Sequence, residues 1–238
     1  MEKILNNFVD NLKELFNDRL TSVFLYGSRA TEDFAKTADL NVMVIIKDLS
    51  SADLKLAHNT IKPFEKIKNP LPIFMDRTEW FNSCDVFAIE YSDIKDRNKI
   101  LHGEDLASGL FVDKKELRLQ CEREVKNLLI RLRQSYLAKT SDKNALKNLI
   151  KLSSKSFMVI FRTILKLTNK TVPKSHEEVI KLFSEKSTGI NFDPDMFLKI
   201  LELRENPKAI KDCELELTVQ KLIDTTNSVL KYVDKLEI

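Results

Sequence analysis

The sequence predicts an α+β fold, in which an N-terminal α/β domain with a mixed sheet (residues 1–112) precedes an all-α helical bundle (residues 113–238). Short apolar runs separated by turn residues dominate the first part, which is typical of strands that alternate with helices. In the second part, apolar residues recur every three or four positions, which indicates packed helices. With 238 residues, 43% of them hydrophobic, the chain is long enough to bury a sizeable core.

Helices and strands alternate in the N-terminal part. The first helix is predicted over residues 2–18, because its apolar side chains follow helical spacing. The later elements are a strand ending at Tyr26, a short helix from about Ser28, a strand at 39–46, a helix at 53–68, and strands at 71–75 and 85–91. This alternation predicts a small α/β domain around a mixed sheet.

Five helices are predicted in the C-terminal part. The apolar stripes or caps that define them begin at Leu117, Leu149, Ser175, Asp193 and Glu214. Ser175 and Asp193 are suitable first residues because their side-chain oxygens can accept hydrogen bonds from the unpaired N–H groups of a first helical turn. The segments between the helices are rich in polar residues, so we expect a bundle of helices joined by loops.

A first candidate site lies where the first predicted strand ends, at Gly27, Ser28 and Arg29. Gly27 has no side chain to keep an anion away from the backbone N–H groups that follow it. Ser28 adds a hydroxyl donor, and Arg29 adds a cationic fork that suits phosphate oxygens. A Gly-Ser pair is also common in ordinary turns, so it indicates nucleotide binding only together with a second feature.

The second feature opens the next predicted strand, at Asp39 and Asn41. Side chains two residues apart on a strand project to the same face. In metal-dependent nucleotidyl transfer, two carboxylates placed in this way hold one or two Mg²⁺ ions. Here the second of the two positions carries an amide instead of a carboxylate.

The order of a hydrophobic residue, Gly27, Ser28, a spacer, Asp39, a hydrophobic residue, Asn41 and a hydrophobic residue resembles the DNA polymerase beta-like nucleotidyltransferase superfamily. That family has Asp or Glu where this chain has Asn41, and a third carboxylate on a later strand. Glu90, in the predicted strand at 85–91, matches the third carboxylate. The run from Asp93 to Leu106 also resembles uncharacterised nucleotidyltransferase-domain proteins in which a C-terminal helical bundle follows. The pattern therefore departs from the family at one position, Asn41.

The resemblance implies a function for each of these positions. It implies transfer of a nucleoside monophosphate from a nucleoside triphosphate, with ATP the expected donor, to an unidentified hydroxyl acceptor. Asp39 and Glu90 would be catalytic, and a Mg²⁺ or Mn²⁺ ion would be bound by Asp39, Asn41 and Glu90. Gly27, Ser28 and Arg29 would bind the nucleotide.

Asn41 leaves two functional hypotheses open. Two unit charges about 4 Å apart interact by roughly 4 kcal/mol at an effective dielectric of about 20, and a divalent ion doubles this figure. If desolvation cancels three quarters of it, a loss of about 2 kcal/mol remains, more than tenfold in metal affinity. Glu32 and Asp33, in the phosphate-side turn, and Asp48, beyond the strand, do not replace the carboxylate. The chain is thus either a transferase of weakened or unusual activity, or a non-catalytic nucleotide-sensing or protein-interaction module.

The cysteines and the charge argue against other classes of site. Three cysteines lie far apart in the sequence, with no Cys-x-x-Cys pair, so neither a disulfide framework nor a zinc site is expected. The chain has 39 basic and 36 acidic residues, for a net charge of +3, which argues against nucleic-acid binding. A local group of basic residues, Arg118, Arg123, Lys126, Arg131 and Arg133, is interleaved with glutamates. We interpret it as a solvated face, with neutralisation of phosphate as the alternative.

The sequence also predicts where the protein resides. No apolar run approaches the roughly 18 residues that a membrane span needs. The first residues, Met-Glu-Lys-Ile, do not resemble a secretory signal peptide. We therefore expect a cytoplasmic protein without a membrane partner.

Overall fold

A computed structural model describes residues 2–30, 39–203 and 205–237 of the chain. The chain divides into two compact units, Met1–Asp113 and Lys114–Ile238. The described residues of the first unit form a four-stranded sheet with helices, and those of the second form helices without a sheet. The fold class is therefore α+β, as the sequence predicts.

Helices and strands alternate in the first unit. In chain order it contains α1 (Glu2–Phe16), β1 (Leu20–Tyr26), β2 (Asn41–Ile46), α2 (Ser51–Lys66), β3 (Ile73–Asp76), α3 (Arg77–Asn82), α4 (Ala88–Asp96) and β4 (Asn98–Gly103). Short 3₁₀ turns precede and follow β1, at Asn17–Arg19 and Gly27–Ala30. The second of these turns stands where the sequence predicts a short helix. The ends of α1, β2, α2 and β3 lie within two residues of the predicted ends.

The sheet is mixed, with the strand order β3-β2-β1-β4. Strand β1 is antiparallel to both of its neighbours, and β2 and β3 are parallel. At one end of the sheet, Tyr26 of β1 is paired with Asn41 of β2 and with Asn98 of β4. This end carries the candidate site.

Both faces of the sheet are covered by helices. Alternate residues of each strand point to opposite faces, so the apolar residues of β1 and β2 supply two cores. Helices α1 and α2 cover one face, where Phe8 and Phe64 pack on Val23, Leu25 and Val44. The other face is covered by α3, α4 and the segment after β4, through the buried residues Trp80, Tyr91, Ile94, Leu106 and Leu110.

One predicted strand is wrong. Residues 85–91 do not form a strand, and Ala88–Asp96 form the helix α4. Ala88, Tyr91 and Ile94 are buried at every third position, so the apolar run has a helical period once it is followed beyond residue 91. The strand that completes the sheet is β4 (Asn98–Gly103), a half-exposed edge strand whose polar residues hide its pattern.

The second unit contains the five predicted helices. They are α5 (Lys114–Lys139), α6 (Lys143–Leu167), α7 (His176–Lys186), α8 (Pro194–Glu202) and α9 (Leu215–Asp234). Ser175 and Asp193 cap α7 and α8 through their side-chain oxygens, as the sequence predicts. Five phenylalanine rings pack together in the core of the bundle, at Phe157, Phe161, Phe183, Phe192 and Phe197. Helix α6 supplies two of these rings and is the central element of the bundle.

Across the described segments, every helix is either too short or too polar to cross a membrane.

Candidate functional site

The turn Gly27–Ala30, which the sequence predicts to bind phosphate and which we call the phosphate-side turn, begins directly after β1. Gly27 is buried and has a φ of +77°, a conformation that side chains of L-residues disfavour. Its N–H donates to the carbonyl oxygen of Arg97, at 3.0 Å. A Cβ at this position would lie 3.2 Å from Nδ2 of Asn41. Both the positive φ and the limited space therefore favour glycine. Ser28 and Arg29 follow in the same 3₁₀ turn and are half-buried.

Three polar side chains form a row across this end of the sheet: Asn41 of β2, Tyr26 of β1 and Asn98 of β4. Directly paired residues of neighbouring strands point to the same face, and Tyr26 packs against the core on the α4 face. Nδ2 of Asn98 donates to the carbonyl oxygen of Ile94 at 2.9 Å. The amide of Asn98 therefore connects the end of the sheet to the end of α4.

Asp39 is exposed and lies two residues before Asn41. The backbone between them is held by Asn69, on the loop after α2. Oδ1 of Asn69 accepts from the N–H of Leu40, and Nδ2 donates to the carbonyl oxygen of Leu40, both at 2.8 Å. This pair of bonds mimics a strand partner and fixes the segment that carries Asp39.

Sequence reasoning does not identify Asn69 as part of the site. The residue stands before Pro70, and Asn-Pro dipeptides are typical of turns, so a loop could be expected there. That the turn faces Leu40, 29 positions earlier in the chain, depends on the sheet order, which the sequence does not reveal.

The structure corrects the location of Glu90, which the sequence placed on a strand. Glu90 lies in the first turn of α4, and its side chain is exposed, whereas Ile89 and Tyr91 are buried. The helix that carries it ends at this end of the sheet, where Asn98 is bonded to Ile94. Burial, and then the negative charge of Glu90, raise the pKa of Tyr26 above its ordinary value. The charge of Glu90 therefore acts on Tyr26, the central residue of the row.

Arg97, directly after α4, connects that helix to the phosphate-side turn. Its Nε donates to Oδ1 of Asp93 at 2.9 Å, and Nη2 donates to both carboxylate oxygens. Its carbonyl oxygen accepts the N–H of Gly27. Because a guanidinium held at two points has little freedom to rotate, Arg97 restrains the turn against the helix that carries Glu90.

The predicted metal ligands Asp39, Asn41 and Glu90 offer two carboxylates and one amide oxygen. Among the residues that the structure describes, no three His, Cys, Asp or Glu side chains form a metal-binding group. Oxygen donors of this kind suit Mg²⁺, which is often bound by one or two carboxylates while phosphates and waters complete its shell. The donor set therefore fits an ion that is shared with a triphosphate. Glu32 and Asp33 lie outside the described residues.

A cavity of about 490 Å³ lies at the opposite end of the sheet, and no predicted site residue lines it. Its charged lining includes Asp48, Asp76, Arg77 and Glu104. Asp76 accepts from the N–H of Thr78 and so caps α3, and Glu104 forms an ion pair with Arg77 at 2.8 Å. Three of the four groups thus serve the local structure, and we assign the candidate site to the end of the sheet that carries Asn41.

Comparison with known proteins supports the fold. No protein-family model matches the sequence, and no curated protein sequence matches it. Among solved structures, the spectinomycin adenyltransferase AAD(9) from Enterococcus faecalis, with ATP and spectinomycin, matches with a TM-score of 0.60. The match covers 95% of this chain and 99% of that chain, at 16% sequence identity. The chain thus has the fold of an adenyltransferase.

Proposed function

We propose that this chain transfers a nucleoside monophosphate from a nucleoside triphosphate to a hydroxyl group of an acceptor, and releases pyrophosphate. One observation carries the proposal: the turn at Gly27, the amide of Asn41 and the end of the helix that carries Glu90 meet at one end of the sheet. The adenyltransferase that shares the fold was solved with ATP and spectinomycin, which favours ATP as the donor and a small molecule as the acceptor. In the present chain, the two domains would be residues 1–112 and 113–238.

In this proposal, the turn binds the triphosphate. Gly27 is buried and its N–H is bonded to Arg97, so its part is to let the chain turn, and Ser28 adds a hydroxyl donor. Arg29 supplies the positive charge that a triphosphate requires and can donate two parallel hydrogen bonds to its oxygens. The bond from Gly27 to Arg97 keeps the turn rigid, so little entropy is lost when the nucleotide binds.

Asp39, Asn41 and Glu90 would hold Mg²⁺ through their oxygens, and the ion when bound neutralises charge on the triphosphate. Glu90 would also accept the proton of the attacking hydroxyl group. The hydroxyl oxygen then forms a bond to the α-phosphorus, the bond from that phosphorus to the bridging oxygen breaks, and pyrophosphate leaves. Because the carboxylate of Glu90 is exposed, an acceptor can reach it from solvent.

The test is titration calorimetry of the purified protein with ATP and with GTP, each with and without Mg²⁺ or Mn²⁺. We expect nucleotide binding that depends on the metal and is lost in Asp39→Ala. Asn41→Asp restores the missing charge and should strengthen metal-dependent binding more than tenfold, from the loss of about 2 kcal/mol estimated for the amide. Asp10→Ala, which removes an exposed carboxylate on α1, is the matched control and should bind as the wild type does.

An acceptor screen follows for the wild type and Asn41→Asp, with release of pyrophosphate as the readout. Turnover in either protein that disappears in Asp39→Ala would support the proposal. If neither protein transfers a nucleotide to any acceptor, although both bind it, transfer as proposed is contradicted.

The second candidate function is a non-catalytic nucleotide-sensing or protein-interaction module, and Asn41 is the observation that favours it. In that case nucleotide binding persists without turnover, or the site binds no nucleotide and the helical unit recognises a protein. The two functions differ in one result: Asn41→Asp increases transfer in an enzyme, but it changes only affinity in a sensor. Asp39→Ala should leave a protein contact of the helical unit intact.

A further inference from the structure

The small net charge of the chain conceals a strong separation of charge between the two units. Residues 1–113 contain 14 basic and 19 acidic side chains, a net charge of −5. Residues 114–238 contain 25 basic and 17 acidic side chains, a net charge of +8. A near-neutral total therefore does not argue against a polyanionic partner of the second unit.

The excess of positive charge is concentrated further within the second unit. Residues 125–176 contain 12 lysines and arginines but a single acidic residue, Asp142. Helix α6 (Lys143–Leu167) has no acidic residue in its 25 positions. The glutamates that interleave the basic residues at the start of α5 are therefore absent from its end and from all of α6.

Four lysines of α6 stand at intervals of four residues: Lys143, Lys147, Lys151 and Lys155. Successive members lie about 6 Å apart along the helix axis, and like charges at this spacing repel each other. Asp212 compensates the first two, at 3.7 Å from Lys143 and 2.6 Å from Lys147. Within residues 2–30, 39–203 and 205–237, no carboxylate forms an ion pair with Lys151 or Lys155.

The basic residues of α5 continue this surface. Nη2 of Arg131 donates to Oγ of Ser156, one residue after Lys155, so the two helices present positive charge side by side. Arg131 and Lys155 are exposed, and Lys151 is half-exposed. Arg162, in contrast, is buried and donates to backbone carbonyl oxygens, so it belongs to the framework of the bundle. We call Arg131, Lys151 and Lys155 the α5–α6 basic surface.

We propose that the α5–α6 basic surface binds the phosphate backbone of a nucleic acid. Uncompensated cations at regular intervals attract a regular array of phosphates, and displaced counterions add to the affinity. Nine of the 12 basic residues in the span are lysines, which are depleted in protein–protein interfaces, so an acidic protein fits less well. A membrane surface also fits less well, because interfacial helices insert their apolar face, whereas that of α6 is buried in the bundle.

This surface lies entirely in the second unit and does not depend on the proposed transfer reaction. Its ligand is recognised by charge along a backbone, so we expect little dependence on base sequence. Asp39→Ala, in the first unit, should therefore bind nucleic acid as the wild type does.

The test measures fluorescence anisotropy of a labelled RNA hairpin, a single-stranded RNA and a DNA duplex with the full-length protein. For about three phosphate contacts, one for each residue of the surface, affinity should fall by one to two orders of magnitude between about 50 and 200 mM salt. Lys151→Glu combined with Lys155→Glu should weaken binding at least tenfold and make the salt dependence shallower by about two contacts. The milder pair Lys151→Gln with Lys155→Gln should weaken it less, in the same direction.

The matched control is Lys181→Glu with Lys186→Glu, which makes the same change of charge on the exposed surface of α7. It should keep the affinity of the wild type within about twofold, because these lysines stand among the glutamates of α7. Equal losses in both pairs would show that only total charge matters and would overturn the proposal. It would also be overturned if the wild type bound no nucleic acid at about 50 mM salt, or bound only phosphatidylserine vesicles or polyglutamate.

Discussion

At the scale of single residues, Gly27 carries two constraints that act together. Its φ of +77° strains any residue with a Cβ, and the space for that Cβ is taken by the amide of Asn41 at 3.2 Å. Gly189 also has a positive φ, of +92°, but a Cβ there meets no atom within 4 Å. Gly109 has neither constraint. A comparison of the three glycines therefore distinguishes the effect of backbone strain from that of crowding by Asn41.

The loss of stability on replacement by alanine should increase from Gly109 to Gly189 to Gly27. We expect Gly109→Ala to be nearly neutral and Gly189→Ala to lower the free energy of unfolding by about 1 kcal/mol through strain alone. Gly27→Ala should cost more than Gly189→Ala, and it alone should weaken ATP binding, because Asn41 must move. Urea unfolding and calorimetry with ATP measure the two effects. Equal costs at Gly27 and Gly189, with ATP binding intact, would contradict this account.

At the scale of elements, an ion pair holds the start of α2 against the turn before β1. The guanidinium of Arg19 donates to the buried carboxylate of Asp53, which also accepts from Oγ of Ser50 at 2.7 Å and from its N–H at 2.9 Å. The bond from Arg19, followed by those from Ser50, lowers the pKa of Asp53 to about 2. The capping box of α2 and the Arg19 pair therefore share one ionised carboxylate.

This carboxylate should make the fold sensitive to acid. The pKa of Asp53 in the unfolded chain is about 3.9, above its value in the folded protein, so its contribution to stability is present above pH about 4. The contribution is lost as the pH falls from about 4 towards 2. Asp53→Asn should thus be less stable than the wild type at neutral pH and should lose less stability on acidification. Urea midpoints between about pH 7 and 2.5 test this.

The control for this prediction is Asp10→Asn, which removes one carboxylate of an exposed ion pair on α1. Its midpoints should run parallel to those of the wild type. A loss of stability in acid that is as steep in Asp53→Asn as in the wild type would contradict the role of Asp53.

At the scale of the whole molecule, charge is separated between a unit of −5 and a unit of +8. Repulsion is expected along α6, where a pair of lysines four residues apart costs a few tenths of a kcal/mol unless a carboxylate compensates it, as Asp212 does for Lys143 and Lys147. The same lysines that repel each other also attract a polyanion, so the binding surface is obtained at a cost in stability.

Salt should therefore stabilise the protein. Raising NaCl from about 20 to 200 mM screens the lysines of α6, so the thermal midpoint of the wild type should rise. The rise should be smaller in the double variant Lys151→Glu with Lys155→Glu. In the double variant Lys181→Glu with Lys186→Glu, it should be as large as in the wild type. Differential scanning fluorimetry without a ligand measures these midpoints. An identical response to salt in all three proteins would show that repulsion along α6 does not limit stability.

Much of the fold can be predicted from the sequence, because the periods of apolar residues are local properties. The five helices of the second unit, the caps at Ser175 and Asp193, and the mixed sheet of the first unit all follow from such patterns. The strand at 85–91 was predicted wrongly for the same reason, since a window of seven residues cannot separate a half-buried strand from the start of a helix.

Part of the candidate site consists of residues that are close in sequence, and part depends on contacts between residues that are far apart in the chain. The turn at Gly27 and the pair Asp39 and Asn41 are visible in the sequence, and their roles stay predictions. Three features were not visible in the sequence: the two bonds of Asn69 to Leu40, the pairing of Tyr26 with Asn98, and the position of Glu90 on a helix that is bonded to Asn98. The charge of α6 can be counted in the sequence, but the total of +3 conceals it until the units are separated.

Apart from α3, α4 and β4, the sequence by itself determined the types of element and their order, and also the residue at which the turn after β1 begins, because these depend on side chains a few positions apart. Only the tertiary structure decided which loops and helices meet the end of the sheet. Contacts such as Asn69 with Leu40, or Arg97 with Gly27, join residues that are distant along the chain. They exist because the strand order β3-β2-β1-β4 and the packing of α4 bring them together, which no local pattern encodes.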